Sequence, residues 1–231
     1  MAADYDAHRP PYPDEMVDDL LASGGRRVLD VGAGTGIASK QFADRGADVL
    51  AVDPDTRMAA HAKAKGIHTE LAKFEDWQPE GRTFDLVAFA ASFHWVDPDV
   101  ALPKVREILA PRGHLALIWN RLRPGGRHAA RLTDVLHAHA DSHDAQRAPA
   151  RGQFLAMLTD AGFVATEHAY PRRIHMSAPD WIALQFTYSR FLVLEPNRRA
   201  ELRKRLVDVI GDDDVEVAGD TLAIVASIAA D

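Results

Sequence analysis

Between Val28 and Gly36 the chain reads Val-Leu-Asp-Val-Gly-Ala-Gly-Thr-Gly, an apolar run that breaks into closely spaced glycines. The run predicts a short buried strand, and the glycines predict a tight turn that opens a helix. Free N–H groups at the start of such a helix favour acceptor or negatively charged groups of a ligand. Further strands are predicted at 47–52, 67–71, 84–90 and 114–119, with helices between them. This alternation predicts a parallel sheet with helices on both faces.

The second half of the sequence is less regular. Helices are predicted over 127–140, 153–161, 180–192 and 196–210, an extended segment over 164–176, and a β-rich run over 221–228. No repeat or low-complexity tract divides the chain, so we predict a single domain over residues 1–231. Its predicted parts are an N-terminal cap (1–25), a cofactor-binding core (26–120) and a substrate or lid half (121–231), with a helical insertion (178–210) before the last strand.

Composition and charge exclude several classes of protein. The formal net charge is −7, and basic residues are interleaved with acidic ones. We therefore expect no nucleic-acid partner, because binding to phosphates requires a basic face.

No segment approaches the ~20 apolar residues of a membrane span, and the first residues lack the pattern of a signal peptide. The absence of cysteine fits a cytoplasmic protein. His137, His139 and His143 do not share one helix face, so no metal site is expected.

About 20 residues after the glycine turn, the second predicted strand ends in Asp53, followed by Pro54. In nucleotide-binding sheets an acid at this point accepts hydrogen bonds from ribose hydroxyls. A dinucleotide fingerprint would require Gly-x-Gly-x-x-Gly/Ala, but the last position, counted from Gly32, is Ile37. The acidic Asp30 before the turn also suits a cationic group better than a diphosphate. The pattern therefore disfavours a nicotinamide cofactor.

The segments VLDVGAGTG and AVDPD resemble the first two motifs of the class I S-adenosylmethionine-dependent methyltransferases. The resemblance implies a Rossmann-like α/β fold, with a seven-stranded, mostly parallel sheet flanked by helices, and S-adenosylmethionine as cofactor. It also assigns the turn to the methionine part of the cofactor, with Thr35 fixing the turn and Asp53, next to Pro54, holding the ribose. The residues implied to line the methionine part are Asp30, Gly32, Ala33, Gly34 and Gly36.

The same resemblance assigns adenine recognition to the segment Ala72–Trp77. Glu75 fits the usual acidic position, and the backbone N–H of Phe74 would contact the base. Lys73 stands where an aspartate is common, which departs from the family pattern. Ala90, at the end of the fourth strand, would face the same crevice as the glycines, because ligands in open parallel sheets lie beyond the carboxyl ends of the strands.

Two further segments resemble a small-molecule subgroup that includes trans-aconitate methyltransferase-like proteins. They are the start of the chain, with Tyr5, Arg9 and Pro-Pro-Tyr-Pro, and the run that contains FDLV, ASFHWVDPDVAL and REILAPRGHLAL. In that subgroup the start closes over the cofactor, which implies that Tyr5 and Arg9 lie near the methionine carboxylate. The resemblance covers residues 5–120 and is weak beyond them.

A methyl acceptor that must lose a proton would require a general base, and His94 is the best-placed candidate. Its alternative is a structural role in the loop after the fourth strand. Candidates for the wall of the acceptor pocket, which could equally pack as core or rim, are Tyr12, Phe93, Trp95, Trp119 and Asn120.

The function predicted from these features is transfer of a methyl group to an O, N or C atom of a small molecule. One alternative is a non-catalytic S-adenosylmethionine-binding module that acts through a partner protein. The second alternative is a nicotinamide oxidoreductase, which the glycine spacing disfavours. The sequence leaves the oligomeric state open.

Overall fold

A computed structural model describes residues 2–22, 25–139 and 152–229 of the chain. The strands are β1 (Arg27–Val31), β2 (Asp48–Asp53), β3 (His68–Leu71), β4 (Phe84–Ala90), β5 (Leu109–Pro124), β6 (Phe163–Met176) and β7 (Val215–Ile228). The helices are α1 (Ala2–His8), α2 (Asp14–Leu21), α3 (Ile37–Asp44), α4 (Thr56–Ala64), α5 (Pro98–Ile108), α6 (Ala129–His139), α7 (Leu155–Asp160), α8 (Ala178–Gln185), α9 (Ser189–Leu192) and α10 (Pro196–Ile210). Short 3-10 helices cover Phe93–Trp95 and Gly126–His128.

Within the described residues the strands form one seven-stranded sheet in the order β3-β2-β1-β4-β5-β7-β6. The pairs β1–β2, β1–β4, β2–β3 and β4–β5 are parallel. Strand β7 is antiparallel to β5, since Gly125 bonds to Glu216 while Asn120, earlier in β5, bonds to Thr221, later in β7. The sheet and its flanking helices confirm the predicted Rossmann-like fold, and α8 to α10 occupy the predicted insertion before the last strand.

The chain divides into two compact units. One comprises Met1–Pro10, Arg121–Arg147 and Pro171–Asp220, and the other comprises Pro11–Asn120, Ala148–Tyr170 and Thr221–Asp231. We call the first the insertion unit and the second the sheet unit.

Each unit has its own apolar core. In the sheet unit, successive residues of β1 point to opposite faces, so that Val28 packs in one cluster while Leu29 and Val31 pack in another. Burial on both faces is typical of a central strand in a parallel sheet. In the insertion unit, Trp181 and Phe191 are buried with apolar residues of α6, α10 and the start of β7.

Three elements differ from their sequence predictions. Strand β5 extends beyond the predicted 114–119 at both ends. Phe84 pairs with Leu109 but Leu86 pairs with His114, so residues 110–113 form an irregularity within β5. The single helix predicted over 180–192 is divided, and the Thr187 hydroxyl at the division donates to the carbonyl of Leu184 at 2.7 Å. Helix α1 was not predicted.

Candidate cofactor site

The glycine-rich turn between β1 and α3 has left-handed backbone at three positions. The φ angles are +66° at Gly32, +58° at Gly34 and +77° at Gly36, a region that L-residues with a side chain rarely adopt. At Gly32 the space is also restricted, because a Cβ there would lie 2.5 Å from the Cβ of Ser92. A Cβ on Gly34 would meet no atom within 4 Å. The turn is therefore open on the side that Gly34 presents.

Backbone hydrogen bonds attach this turn to the end of β2. The N–H groups of Gly32 and Ala33 both donate to the carbonyl of Val52, at 2.8 and 3.3 Å. Gly34 donates its N–H to Oδ2 of Asp53 at 2.8 Å, and Asp55 donates its N–H to Oδ1 of Asp53 at the same distance. The structure thus places Asp53 against the turn, while Pro54 is exposed, and the contact of Asp53 with a ribose stays a prediction.

The Asp53 carboxylate is nearly buried, yet it retains capacity to bind a ligand. Burial raises the pKa of Asp53, and the hydrogen bonds from the Asp55 and Gly34 N–H groups oppose that rise. Each carboxylate oxygen has two lone pairs, and each accepts one backbone hydrogen bond here. The remaining lone pairs are suited to accept hydrogen bonds from vicinal hydroxyls such as those of a ribose.

Asp30 is completely buried at the end of β1. Its Oδ2 accepts a hydrogen bond from the Ser39 hydroxyl of α3 at 2.5 Å. Burial raises the pKa of Asp30 to about 6; the Ser39 hydrogen bond lowers it and the nearby Asp53 raises it. The other carboxylate oxygen, Oδ1, has no hydrogen-bond partner among the residues that the structure describes, and the same holds for the buried hydroxyl of Thr35.

Two unsatisfied buried oxygens at one turn require an explanation, because buried polar atoms in folded proteins almost always have a partner. A ligand or an ordered water can supply it. A carboxylate oxygen accepts from an ammonium or hydroxyl group, and the Thr35 hydroxyl can both donate and accept. Together with the open side of Gly34 and the lone pairs of Asp53, this arrangement fits a ligand that carries a cationic group and vicinal hydroxyls.

The segment after β3 forms a tight turn. The carbonyl of Lys73 accepts hydrogen bonds from the N–H groups of Asp76 and Trp77, at 3.1 and 2.9 Å. Glu75 uses Oε1 to accept the N–H of Asp97 at 3.0 Å, so this carboxylate fixes the turn to the start of α5. Phe74 and Trp77 are buried in the core, and the Lys73 side chain is exposed. The assignment of Phe74 and Glu75 to adenine recognition stays a prediction.

Beyond the end of β4, Ala90 is half-buried and Ala91 adopts a φ of +56°. The Ala91 N–H donates to the carbonyl of Ile118 at 2.8 Å, and the Ser92 hydroxyl donates to the carbonyl of Val31. The rings of His94 and Trp95 follow on the 3-10 helix, with centroids 5.0 Å apart. Trp95 is 64% exposed. Beyond the carboxyl end of β4, Trp95 is thus accessible and His94 is half-buried beside it.

The remaining predicted pocket residues have different surroundings. Phe93 and Trp119 are only 1% and 4% exposed, and both contact the ring of Phe154, at 5.7 and 5.2 Å between centroids. Packing in the core, the alternative given for them above, fits this burial. Asn120 accepts a hydrogen bond from the Thr221 hydroxyl at 2.6 Å. The backbone of Tyr12 exchanges two hydrogen bonds with the Gln41 side chain, at 2.9 and 2.8 Å.

Tyr5 and Arg9 belong to the insertion unit, where they contact each other. The Arg9 guanidinium lies 4.7 Å from the ring centroid of Tyr5 and 4.0 Å from that of Tyr188. It also donates to the hydroxyl and the carbonyl of Thr187, at 2.9 and 3.2 Å. These contacts hold α1 against the turn between α8 and α9. Contact of Tyr5 and Arg9 with a methionine carboxylate remains a prediction.

Comparison with known proteins agrees with this geometry. Residues 29–117, which contain the turn, Asp53 and β4, match the family described as Methyltransferase domain. An uncharacterized methyltransferase of Mycobacterium tuberculosis is 42% identical over 118 residues, which cover 50% of this chain and 49% of that protein. Trans-aconitate 2-methyltransferase of the same species is 32% identical over 154 residues, 65% of this chain and 52% of that protein.

Residues 29–117 thus match a methyltransferase domain. The predicted family is thereby confirmed, and S-adenosylmethionine is the cofactor of that family. A solved structure of a protein from Anaeromyxobacter dehalogenans, assigned as a type II methyltransferase, has the same fold, with a TM-score of 0.67 at 22% identity over 95% of this chain and 97% of that one. A methyltransferase of Thiobacillus denitrificans, solved with S-adenosyl-L-homocysteine, has a TM-score of 0.54 at 15% identity, over 97% and 96%.

The chain spans about half the length of the curated relatives named here. No helix in residues 2–22, 25–139 and 152–229 is both long and apolar enough to cross a membrane. In the same ranges, no group of three or more acidic or histidine side chains could hold a metal ion. His143, considered above as a metal ligand, lies outside the described residues.

Several residues that shape the methyltransferase domain were not identified from the sequence. Ser39, nine residues after Asp30, bonds its carboxylate, and Ser92 bonds the end of β1 and occupies the space next to Gly32. Both are small polar residues in the first residues after a glycine turn or a strand. Both partners belong to β1. The contact of Ser39 is local in the sequence, whereas that of Ser92 is revealed only by the sheet order, which brings β4 beside β1.

Proposed function

We propose that this chain binds S-adenosylmethionine and transfers its methyl group to an O, N or C atom of a small molecule. The observation that carries the proposal is the pair of buried, unsatisfied oxygens, Asp30 Oδ1 and Thr35 Oγ1, beside a glycine turn that is bonded to Asp53. A diphosphate would bring negative charge next to the Asp30 carboxyl. A cofactor with an ammonium and a sulfonium brings the opposite charge.

The residues of the domain then have distinct tasks. Asp30 accepts a hydrogen bond from the amino group of the ligand, either directly or through an ordered water, and Asp53 accepts hydrogen bonds from the ribose hydroxyls. Gly34 leaves room for the ligand to approach the backbone. When bound, the cofactor supplies an electrophilic methyl group on sulfur, so the main contributions of the protein are alignment of the acceptor and exclusion of water.

A general base is needed only where the acceptor loses a proton during the transfer. His94 is the candidate for that task because it follows the end of β4 and is half-buried next to the exposed ring of Trp95. A carboxylate acceptor would need no base. The similarity to a trans-aconitate 2-methyltransferase makes small carboxylic acids the first acceptors to test.

Calorimetric titration with S-adenosylmethionine, S-adenosylhomocysteine and NAD tests the cofactor. We expect binding of the two sulfur compounds and none of NAD; a preference for NAD would overturn the proposal in favour of an oxidoreductase. Methyl-labelled cofactor, incubated with the protein and a panel of small carboxylic acids, amines and phenols, tests the transfer. Binding without transfer to any member of the panel or to a metabolite extract would favour the non-catalytic module instead.

A cytoplasmic location, the absence of membrane and nucleic-acid partners, and a small-molecule acceptor are predictions that follow from the sequence. Filter binding with labelled DNA and RNA checks the predicted absence of a nucleic-acid partner. We expect no retention at physiological salt, because the chain carries a formal net charge of −7.

A further inference from the structure

Lys104, in the middle of α5, binds the turn that follows β3. Its ammonium group donates to three backbone carbonyls of that turn, those of Phe74 at 2.8 Å, Glu75 at 2.6 Å and Trp77 at 2.9 Å. An ammonium group has three N–H donors and no acceptor. The three hydrogen bonds therefore use every donor of Lys104 on the main chain of a single turn.

A second contact fixes the same turn to the same helix. The Glu75 carboxylate accepts the N–H of Asp97, and Asp97 is the N-cap residue of α5, whose side chain accepts the N–H of Asp99. Helix α5 thus holds the turn from its first residue and from its centre. The Phe74 carbonyl and the Glu75 N–H belong to the same peptide group. Because the C=O and N–H groups of a trans peptide point in opposite directions, the Glu75 N–H points away from Lys104.

The 73–77 turn lies at the same edge of the sheet as Asp53, the residue proposed to hold the ribose. Asp53 and Leu71 are partners in the parallel register of β2 and β3. Residues 73–77 therefore leave the sheet at the same edge as the Asp53 carboxylate, one strand further out. A ribose on Asp53 would direct its base toward this turn, where backbone N–H groups can contact the edge of the base.

The charge of Lys104 adds to its geometric effect. A cation bonded to a carbonyl polarises the peptide, and hydrogen bonds in such a chain strengthen one another. The N–H groups of the polarised peptides consequently become better donors. Without the ammonium group, three carbonyls of the half-buried turn would need water as donor, and the turn would lose its fixed orientation.

We propose that Lys104 is a positioning residue for adenine recognition, holding the 73–77 turn so that the Glu75 N–H faces an acceptor nitrogen of the base. This inference rests on the proposed function. It concerns the selection of the base by the main chain, and no side-chain contact from Lys104 to the ligand is involved.

The test compares S-adenosylhomocysteine with its hypoxanthine analogue, in which the ring nitrogen N1 carries a proton and cannot accept a hydrogen bond. Calorimetry gives the affinity of both ligands for the wild type, Lys104→Met and Lys104→Arg. Lys63→Met is the matched control, because Lys63 is an exposed lysine of α4. We expect the wild type to prefer the adenine ligand by about tenfold or more, the worth of one well-made hydrogen bond.

In Lys104→Met we expect the affinity for S-adenosylhomocysteine to fall by about tenfold and the preference over the hypoxanthine analogue to nearly disappear. Lys104→Arg should retain part of the preference, since its planar group keeps the charge but cannot direct three N–H groups from one atom. Lys63→Met should behave as the wild type. Equal losses for both ligands would mean a merely structural role and overturn the inference, as would an unchanged preference.

If Lys104→Met does not fold, the wild type alone decides the matter. The backbone amide resonance of Glu75 should shift on addition of S-adenosylhomocysteine and shift much less with the hypoxanthine analogue. An unperturbed Glu75 amide in a protein that binds S-adenosylhomocysteine would overturn the role of Lys104 while leaving the proposed function intact. A wild type that binds neither ligand would instead contradict the proposed function.

Discussion

The carboxylate of Asp53 accepts the backbone N–H of Gly34 at 2.8 Å, so the end of β2 fixes the centre of the glycine-rich turn. Asp53→Ala removes this bond, the bond to Asp55 and the predicted ribose contact together. We expect the affinity for S-adenosylhomocysteine to fall by at least about tenfold and the free energy of unfolding by about 1–2 kcal/mol. Calorimetry and urea unfolding measure the two effects. Asp48→Ala, at the exposed start of β2, is the control and should bind normally.

Stability should depend on pH through Asp30. Its pKa in the folded protein is about 6, above the ordinary value of 3.8. Folding therefore favours the protonated form of Asp30. The contribution of this form to the free energy of unfolding is fully present below the ordinary pKa and is lost as the pH rises through about 6.

Asp30→Asn removes this titration. We compare the free energy of unfolding of Asp30→Asn with that of the wild type at each pH. From pH 4 to pH 7 the difference should shift in favour of Asp30→Asn by about 2–3 kcal/mol. Urea unfolding at four pH values measures the difference, and a difference that stays constant with pH would contradict the assignment. The same substitution should weaken cofactor binding, because the amide lacks the charge that attracts an ammonium group.

Gly32 and Gly34 should differ in their tolerance of alanine. Gly32→Ala would place a Cβ 2.5 Å from that of Ser92, so we expect a loss of several kcal/mol or failure to fold. Gly34→Ala meets no neighbouring atom and should cost only about 1 kcal/mol for its left-handed backbone.

Gly66→Ala is the control for Gly34→Ala, since its φ is +81° and a Cβ there also meets nothing within 4 Å. Both variants should have similar thermal unfolding midpoints, but only Gly34→Ala should bind S-adenosylhomocysteine more weakly. Equal affinity of the two variants for this ligand would show that the ligand does not approach Gly34.

His94→Gln separates catalysis from cofactor binding. If His94 takes a proton from the acceptor, the rate of transfer should fall by about 100-fold or more while the affinity for S-adenosylhomocysteine stays unchanged. A rate close to that of the wild type would assign His94 to the structure of the loop.

The glycine turn, Asp53 and the first five strands could be predicted from the sequence because their signals are local. Apolar runs of a few residues predict the strands, the first two of which end at Gly32 and just before Pro54, and the spacing of Gly32, Gly34 and Gly36 predicts the turn. The same holds for α10, which begins at the predicted Pro196 and ends at the predicted Ile210. No long-range contact is needed to recognise any of these features.

Features that depend on distant contacts could not be predicted. The division between α8 and α9 contains no glycine or proline, and the Thr187 at this point bonds Arg9, far away in the sequence. Lys104 resembles any other lysine of an amphipathic helix until the fold places the 73–77 turn beside it. The burial of Phe93 and Trp119 likewise follows from their contacts with Phe154, which the sequence separates from both.

The exposed ring of Trp95 provides an intrinsic optical probe. Of the four tryptophans, Trp77, Trp119 and Trp181 are buried and Trp95 is accessible, so iodide in solution should quench the emission of Trp95 selectively. A molecule that comes to rest against this ring would shield it from iodide. Acceptor candidates could therefore be ranked by fluorescence on the unlabelled protein, before any of them is known to react.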